Sequence, residues 1–282
     1  MLSDKTGTLT QNKMTVTKLY TNQQNLIYSE ITGLSDNTAK LLDLGVLNND
    51  CTVSWERGES AILGEPTEAA IFQAAISQNI EPDKLREKYP RMDEIPFDSA
   101  RKLMTTVHQT AQEDKLVIVK GAPEVLLPLC NRIYLEGSPA ELDDEQRRKI
   151  AAQTVRFAEE ALRVIAVSYK MAPKQAECNY EENLIFVGLF AMIDPPKEEA
   201  KETIAQFHQA GIDTAMITGD NKTTATAIAK ALGIVSDDSR TISGTELDAL
   251  TEQELAERQE IPTQFGETLS MQYLRYVRKH PI

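Results

Sequence analysis

Long apolar runs are what this 282-residue chain most plainly lacks. The longest, Leu184 to Ile193 (LIFVGLFAMI), is about half of the ~18 to 20 residues that a membrane helix needs, so it reads as a buried strand and no segment is read as spanning a bilayer. Cysteine is scarce as well. Cys51, Cys130 and Cys178 are odd in number and far apart, which argues against a disulfide framework or a zinc site and for reduced thiols. His108, His208 and His280 are isolated from one another and read as packing or surface residues rather than ligands. Basic charge is also short, with 30 Lys and Arg against 43 Asp and Glu and a net charge of −13. That balance leaves no distributed basic surface for nucleic acid or an anionic membrane, so a bound anion must be met by local positive groups. No internal repeat, low-complexity tract or signal peptide is visible, although an N-terminus cut from a larger protein would hide a leader.

What is present suffices for a core. With 41% hydrophobic and 26% charged residues the chain is long enough for two domains or one large one. From about Thr15 to Met192 the pattern is of antiparallel-type strands with interspersed helices; from Ile193 to Val235 it is β–α alternation. Asp143 to Leu162 reads as a long helix with Ile150, Val155, Ala158 and Leu162 on one face. Lys115 to Lys120 reads as a strand, and Ala122 to Leu129 as a helix opened by Pro123 and Glu124. After Asp194 an amphipathic helix carries Ala200, Ile204 and Phe207 and stops at Gly211. A short strand, Asp213 to Ile217, follows, then the loop Thr218 to Asn221 and a second helix ending near Gly233.

The densest chemistry lies in Ser3 to Thr10 (SDKTGTLT), which offers a carboxylate, a lysine, a glycine and three threonine hydroxyls, a set suited to holding a phosphoryl group. Small and apolar residues precede Asp4 and Gly7 follows it, as at the carboxyl end of a parallel strand turning into a loop, the edge where open α/β sheets bind ligands. Backbone N–H groups of such a turn cradle anions, and Asp4 is then placed to ligate Mg²⁺ or to attack phosphorus. An Asx-type turn with Asp4 as a simple cap is the plainer alternative.

DKTGTLT resembles the phosphorylation motif of P-type ATPases, a branch of the haloacid dehalogenase superfamily. The resemblance implies that Asp4 is the residue phosphorylated by ATP and a ligand of Mg²⁺, with the Thr6 backbone carbonyl as a second ligand. Lys5, Gly7 and Thr8 shape the phosphate loop. Phosphatases of the superfamily carry an Asp where this chain has Thr6, and loss of that base should let an aspartyl phosphate persist. The ITGDN run resembles the superfamily's second element: Thr218 would bond the phosphoryl oxygens, with Gly219 and Asp220 closing the other side. Asp194 to Lys197 (DPPK) resembles the family's hinge, alongside its plain reading as a helix start. The implied fold class is α/β, an incomplete Rossmann-like haloacid dehalogenase fold with an inserted α+β domain built on an antiparallel sheet. The expected domains are residues 1–14 and 193–258 for the two parts of the phosphorylation domain, 15–192 for the nucleotide-binding domain, and 259–282 for an atypical tail that the family pattern does not cover.

Four stretches of the insert resemble the nucleotide-binding domain of type II cation pumps. GEPTEA supplies Thr67 and Glu68 for the adenine edge or a water. PFDSARKLM supplies Phe97 to stack on adenine, an interaction worth about 1 to 3 kcal/mol, with Lys102 beside it. KGAPE puts Lys120 at the pocket floor, and ALRV puts Arg163 within reach of the phosphates. Taken singly, Phe97 reads as core, Lys120 as a solvated strand end and Arg163 as a surface charge. Where animal calcium pumps often carry Arg, this chain has Ser99, so one contact is absent or supplied by Arg101.

The family's later lysine and GDGxND element do not occur, and the resemblance is read as stopping near Arg258. The expected function is the cytoplasmic, ATP-binding and aspartyl-phosphorylated portion of a membrane cation pump, calcium-pump-like and catalytically incomplete on its own. Its expected partners are ATP, Mg²⁺ and the rest of the pump, including membrane and actuator domains. A haloacid-dehalogenase-type phosphatase and a non-catalytic nucleotide-binding module are the alternatives.

Overall fold

A computed structural model describes residues 2–56, 59–112, 114–173, 179–212, 214–218, 222–236, 241–243, 246 and 264–265. The architecture is mixed α/β with a large, mainly antiparallel sheet. The chain divides into two compact units. One comprises Met1–Lys13, Glu159–Ala161 and Asp194–Ile282, and the other Met14–Ala158 and Leu162–Ile193.

The smaller unit opens with β1 (Leu2–Asp4). The larger unit then runs β2 (Thr15–Thr21), β3 (Gln24–Ile27), α1 (Asp36–Leu47), the hairpin β4 (Thr52–Glu56) and β5 (Glu59–Leu63), α2 (Pro66–Ser77), α3 (Pro82–Lys88), β6 (Arg91–Asp98), β7 (Leu103–Gln109), β8 (Lys115–Gly121), α4 (Pro123–Leu126), β9 (Cys130–Leu135), β10 (Ser138–Glu141), α5 (Asp144–Glu159), β11 (Arg163–Ala172) and β12 (Leu184–Ile193). Nine of these strands form one sheet in the order β10-β9-β12-β11-β8-β7-β6, with β2 on β12 and β3 on β2. Only β9 and β12 pair in parallel among them.

Helices cover both faces of this sheet, which explains its apolar strands. Leu116 and Ile118 of β8 pack with Leu41, Leu44, Ile71 and Phe72 of α1 and α2, while Val117 and Val119 pack with Leu126, Ile150 and Phe157 on the other side. A strand buried on both faces gains from apolar residues at every position, so β8 and β12 read as continuous runs rather than alternating ones. Each fully buried Leu or Phe contributes about 1.5–3 kcal/mol.

One expected face is corrected. In α5 the buried residues are Ile150, Gln153 and Phe157, whereas Val155 is 57% exposed and Ala158 is exposed. Spacings of three and four keep 150, 153 and 157 on one stripe, and five residues from Ile150 to Val155 turn the side chain away from it. Leu162 lies beyond the helix end.

The smaller unit continues with α6 (Glu198–Gln209), β13 (Ala215–Ile217), α7 (Lys222–Ala231), β14 (Thr241–Ile242) and β15 (Gln264–Phe265). β1, β13, β15 and β14 pair in parallel in that order. Ile204 is the buried residue of α6, with Ala200 and Phe207 half-buried on the same stripe. Gly211 and Gly233 follow the two helices in the left-handed region, at φ of 73° and 75°, where a residue without Cβ ends a helix most cheaply. Of the tail at 259–282, Gln264 and Phe265 are described, and the remainder, with Cys178 and His280, lies outside the described residues. No helix among the described residues is long and apolar enough to cross a membrane.

Candidate functional site

In the larger unit the four singled-out stretches are linked to one another. Glu68, in the first turn of α2, accepts from the Lys120 ammonium at the end of β8. Lys120 also donates to the Asn48 carbonyl at 2.6 Å and is 8% exposed, so it is not a solvated strand end. Burial pulls its ammonium below the usual lysine range, against the opposing pull of Glu68. The second Glu68 oxygen accepts from the Asp50 N–H at 3.2 Å. Arg163, at the exposed start of β11, donates to the Thr67 hydroxyl at 2.6 Å. Thus Glu68 holds the Lys of the third stretch and Thr67 the Arg of the fourth.

The second stretch forms the β6–β7 hairpin. Phe97 lies where the β6–β7 register shifts between Ile95 and Asp98 and is 62% exposed, so it is not core. Lys102 takes a left-handed φ of 56°, its N–H donates to the Asp98 carbonyl at 2.6 Å, and its ammonium donates to Glu124 at 3.1 Å. Both partners of that ion pair are more than half exposed, so it is worth at most about 1 kcal/mol. The Lys102 carbonyl accepts from the Ala122 N–H at 3.1 Å, which brings the hairpin onto the KGAPE run. A Cβ on Gly121 would stand 2.1 Å from that carbonyl; this close approach is why glycine follows Lys120.

Arg101 is not free to supply a nucleotide contact. Its guanidinium is engaged by the Glu181 carboxylate and by the Pro96 and Leu103 carbonyls at 2.8 and 3.1 Å. Sequence reasoning missed Glu181 and Asn48. Neither belongs to a recognisable run, and each acts through partners far away in sequence. Asn48 is fully buried and ties β7 to β8 through the Met104 and Ile118 carbonyls at 3.2 and 2.9 Å. Cys51 is buried nearby, its thiol pushed up to about 11 by burial and then by Glu68, so it remains protonated and unreactive.

In the smaller unit β1 lies beside β13 with Asp4 opposite Ile217, so the Asp4 and Thr218 backbones leave adjacent parallel strands at the same edge. Asp4 is exposed and Thr218 is 5% exposed. The expected loop after Asp4 is a single π-helical turn, Lys5–Leu9, with Gly7 in the left-handed region at φ of 75°. Lys5 is buried at 5% exposure. Thr6's side chain, Gly219 and Asp220 lie outside the described residues.

The DPPK run grips this turn. Asp194 accepts from the Thr10 hydroxyl at 2.6 Å and from the Lys13 N–H at 3.1 Å. Lys197 donates from its ammonium to the Gly7 carbonyl at 2.8 Å and from its N–H to the Leu9 carbonyl at 2.9 Å. A cleft of about 260 Å³ beside it is lined by Thr8, Leu9, Lys197, Thr203 and Phe207 among others.

Residues 37–199 match the family model for the cytoplasmic domain N of P-type ATPases. The chain belongs to the P-type ATPase family. It is similar to calcium-transporting ATPase 1 of Lactococcus lactis, with 43% identity covering 98% of this chain and 31% of that protein. It is also similar to calcium-transporting ATPase 1 of Bacillus cereus, at 42% over 91% of this chain and 28% of that protein, and to the human calcium-transporting ATPase type 2C member 1, at 32% over 90% and 28%. The chain therefore spans less than a third of the length of these curated relatives.

Proposed function

We propose that this chain forms the nucleotide-binding part, residues 15–192, and portions of the phosphorylation part, residues 1–14 and 193–258, of a calcium-transporting P-type ATPase. It works at the cytoplasmic face of a membrane with the membrane and actuator domains of the parent pump as partners. The observation that carries this reading is the register of β1 and β13, with Asp4 opposite Ile217 and Thr218 next along. The parallel strands with α6 and α7 support a Rossmann-like core of the haloacid dehalogenase kind for the smaller unit.

In the proposed reaction an Asp4 carboxylate oxygen attacks the γ-phosphorus of ATP in line, the bond to the β-phosphate oxygen breaks, and ADP leaves. Thr218 donates to the phosphoryl oxygens. Phe97, Lys102, Lys120 and Glu68 hold the adenosine end, and Arg163 meets the phosphates. An exposed aromatic on the hairpin that carries Lys102 suits a planar base, and the guanidinium of Arg163 suits the negative charge of the phosphates. No three acidic, His or Cys side chains converge among the described residues. Mg²⁺ suits such a site, because it takes one or two carboxylates with substrate phosphates and water; here Asp4 and the Thr6 carbonyl would hold it, and it would neutralise phosphoryl charge.

The test is acid-stable labelling of the full chain from [γ-³²P]ATP. Weak, hydroxylamine-sensitive label that disappears in Asp4→Asn is expected, weak because the sequence contains no GDGxND run. Label that survives Asp4→Asn would overturn the assignment of the nucleophile, and robust label lost in that variant would overturn the proposed incompetence.

A further inference from the structure

The geometry points to Arg101 and Glu181 as a brace that sets the aim of Phe97, and so as positioning residues for nucleotide binding; this inference rests on the nucleotide reading above. Ile95 pairs with Thr105 and Asp98 with Leu103, so Pro96 and Phe97 together stand opposite Met104. Two residues against one is a bulge, and bulges re-aim side chains and leave the ladder locally unpaired. An aromatic displayed on such a bulge at 62% exposure has no core packing to fix its direction.

Arg101 supplies what the ladder does not. One guanidinium nitrogen donates to the carbonyl of Pro96, the residue before Phe97, at 2.8 Å, and to the Leu103 carbonyl on the opposite strand at 3.1 Å. The other is held by Glu181. The same Glu181 oxygen accepts from the Thr105 hydroxyl at 2.5 Å, and Thr105 faces Ile95 on the far side of the bulge. The bulge is therefore clamped on both sides by one guanidinium and one carboxylate.

Glu181 is itself fixed. Its N–H donates to the Asn179 side chain at 3.1 Å, and the neighbouring Tyr180 hydroxyl donates to Asp93 of β6 at 3.3 Å. The side chains of Arg101 and Glu181 are 28% and 17% exposed, enclosed enough that solvent only partly screens the pair. Neither side chain needs to touch nucleotide. Their effect passes through the position of Phe97 and, because Arg101 adjoins Lys102, through the left-handed turn there.

The test is titration of the full chain with ATP and with adenosine, for wild type, Phe97→Ala, Arg101→Ala, Glu181→Ala, the Arg101/Glu181 double variant and the conservative Glu181→Gln, alongside urea unfolding. Glu181→Ala and Arg101→Ala are each expected to weaken both ligands by the same factor, about five- to tenfold, as for the net loss of one ordinary hydrogen bond. The double variant should be no weaker than either single one, and Glu181→Gln should recover most of the affinity because it keeps the acceptor oxygen. A purely structural role would shift the urea midpoint without the equal loss for adenosine or the recovery by Gln. Unchanged affinity in Arg101→Ala and Glu181→Ala, or losses that add in the double variant, would overturn the brace while Phe97→Ala still weakens binding. Failure of wild type to bind either ligand would overturn the nucleotide reading itself.

Discussion

Lys120 and Glu68, the first on β8 and the second on α2, share a buried ion pair closed from behind by the Asn48 carbonyl. Their side chains are 9% and 13% exposed. Removing the ammonium leaves a carboxylate with little water, a loss of the order of 3–5 kcal/mol. Lys120→Ala is thus expected to lower the urea midpoint as well as ligand affinity, so affinity alone is a poor readout there. Lys120→Met combined with Glu68→Gln should cost clearly less than Lys120→Ala. Equal losses in the two proteins would mean that the pair is not coupled.

Phe97 gives the opposite behaviour. An exposed side chain contributes little to folding, so Phe97→Ala should change stability by less than about 0.5 kcal/mol. The same substitution removes a stacking platform worth about 1–3 kcal/mol per base. Calorimetric titration with ATP should show the loss while the urea midpoint stays in place. A lowered midpoint with unchanged affinity would return Phe97 to the core.

Gly121 has no room for a side chain. A methyl group there would meet the Lys102 carbonyl at 2.1 Å and Leu103 Cα at 3.0 Å, both backbone or near-backbone atoms that cannot swing aside. Gly121→Ala is expected to destabilise by about 1–3 kcal/mol, as overpacking does. It should also break the bond from Ala122 N–H to the Lys102 carbonyl, visible as faster amide exchange at Ala122. Native protection at that amide would contradict the contact.

His108 makes stability depend on pH. It is 1% exposed, with one ring nitrogen 2.9 Å from the Tyr89 carbonyl and the other 3.0 Å from the Thr106 hydroxyl. Burial lowers it from 6.5 to about 4; Arg91 and Arg86 push the same way, and the Tyr89 carbonyl opposes them. The unfolded chain therefore binds a proton below about pH 6.5 that the folded chain refuses until about pH 4. Stability from this group is full above pH 6.5 and falls as pH drops through that window, by roughly 3 kcal/mol in all. Urea midpoints between pH 7 and 4.5 should fall less in His108→Gln than in wild type, and parallel slopes would dismiss the histidine as the cause.

Much of the local structure was legible because it follows from short-range rules. LIFVGLFAMI is β12 over its whole length, since ten apolar residues are too few for a membrane and too continuous for a half-exposed strand. The Pro–Glu start gave α4 its N-terminus, and the helix after Asp194 ends where Gly211 takes a positive φ. The stripe of α5 was misread because apolar residues were gathered without holding them to the 3.6 period, which buries Gln153 and exposes Val155. In the site, motif residues could be named but not their partners. Nothing near Arg101 in sequence signals Glu181, and nothing in KGAPE reports that its lysine is met by Glu68 and an Asn48 carbonyl. Those pairings are fixed by strand order, which no local pattern encodes.

In the larger unit the first residue of β2 and the last of β12 are register partners, Thr15 opposite Ile193. The first and last strands of the unit therefore share one rung of its sheet, while Glu159–Ala161 group with the smaller unit. A module whose outermost strands share a rung holds its two ends side by side, at a closure cost that grows only slowly with the length enclosed. Its ends could equally be joined to each other and the sequence reopened elsewhere without losing a strand.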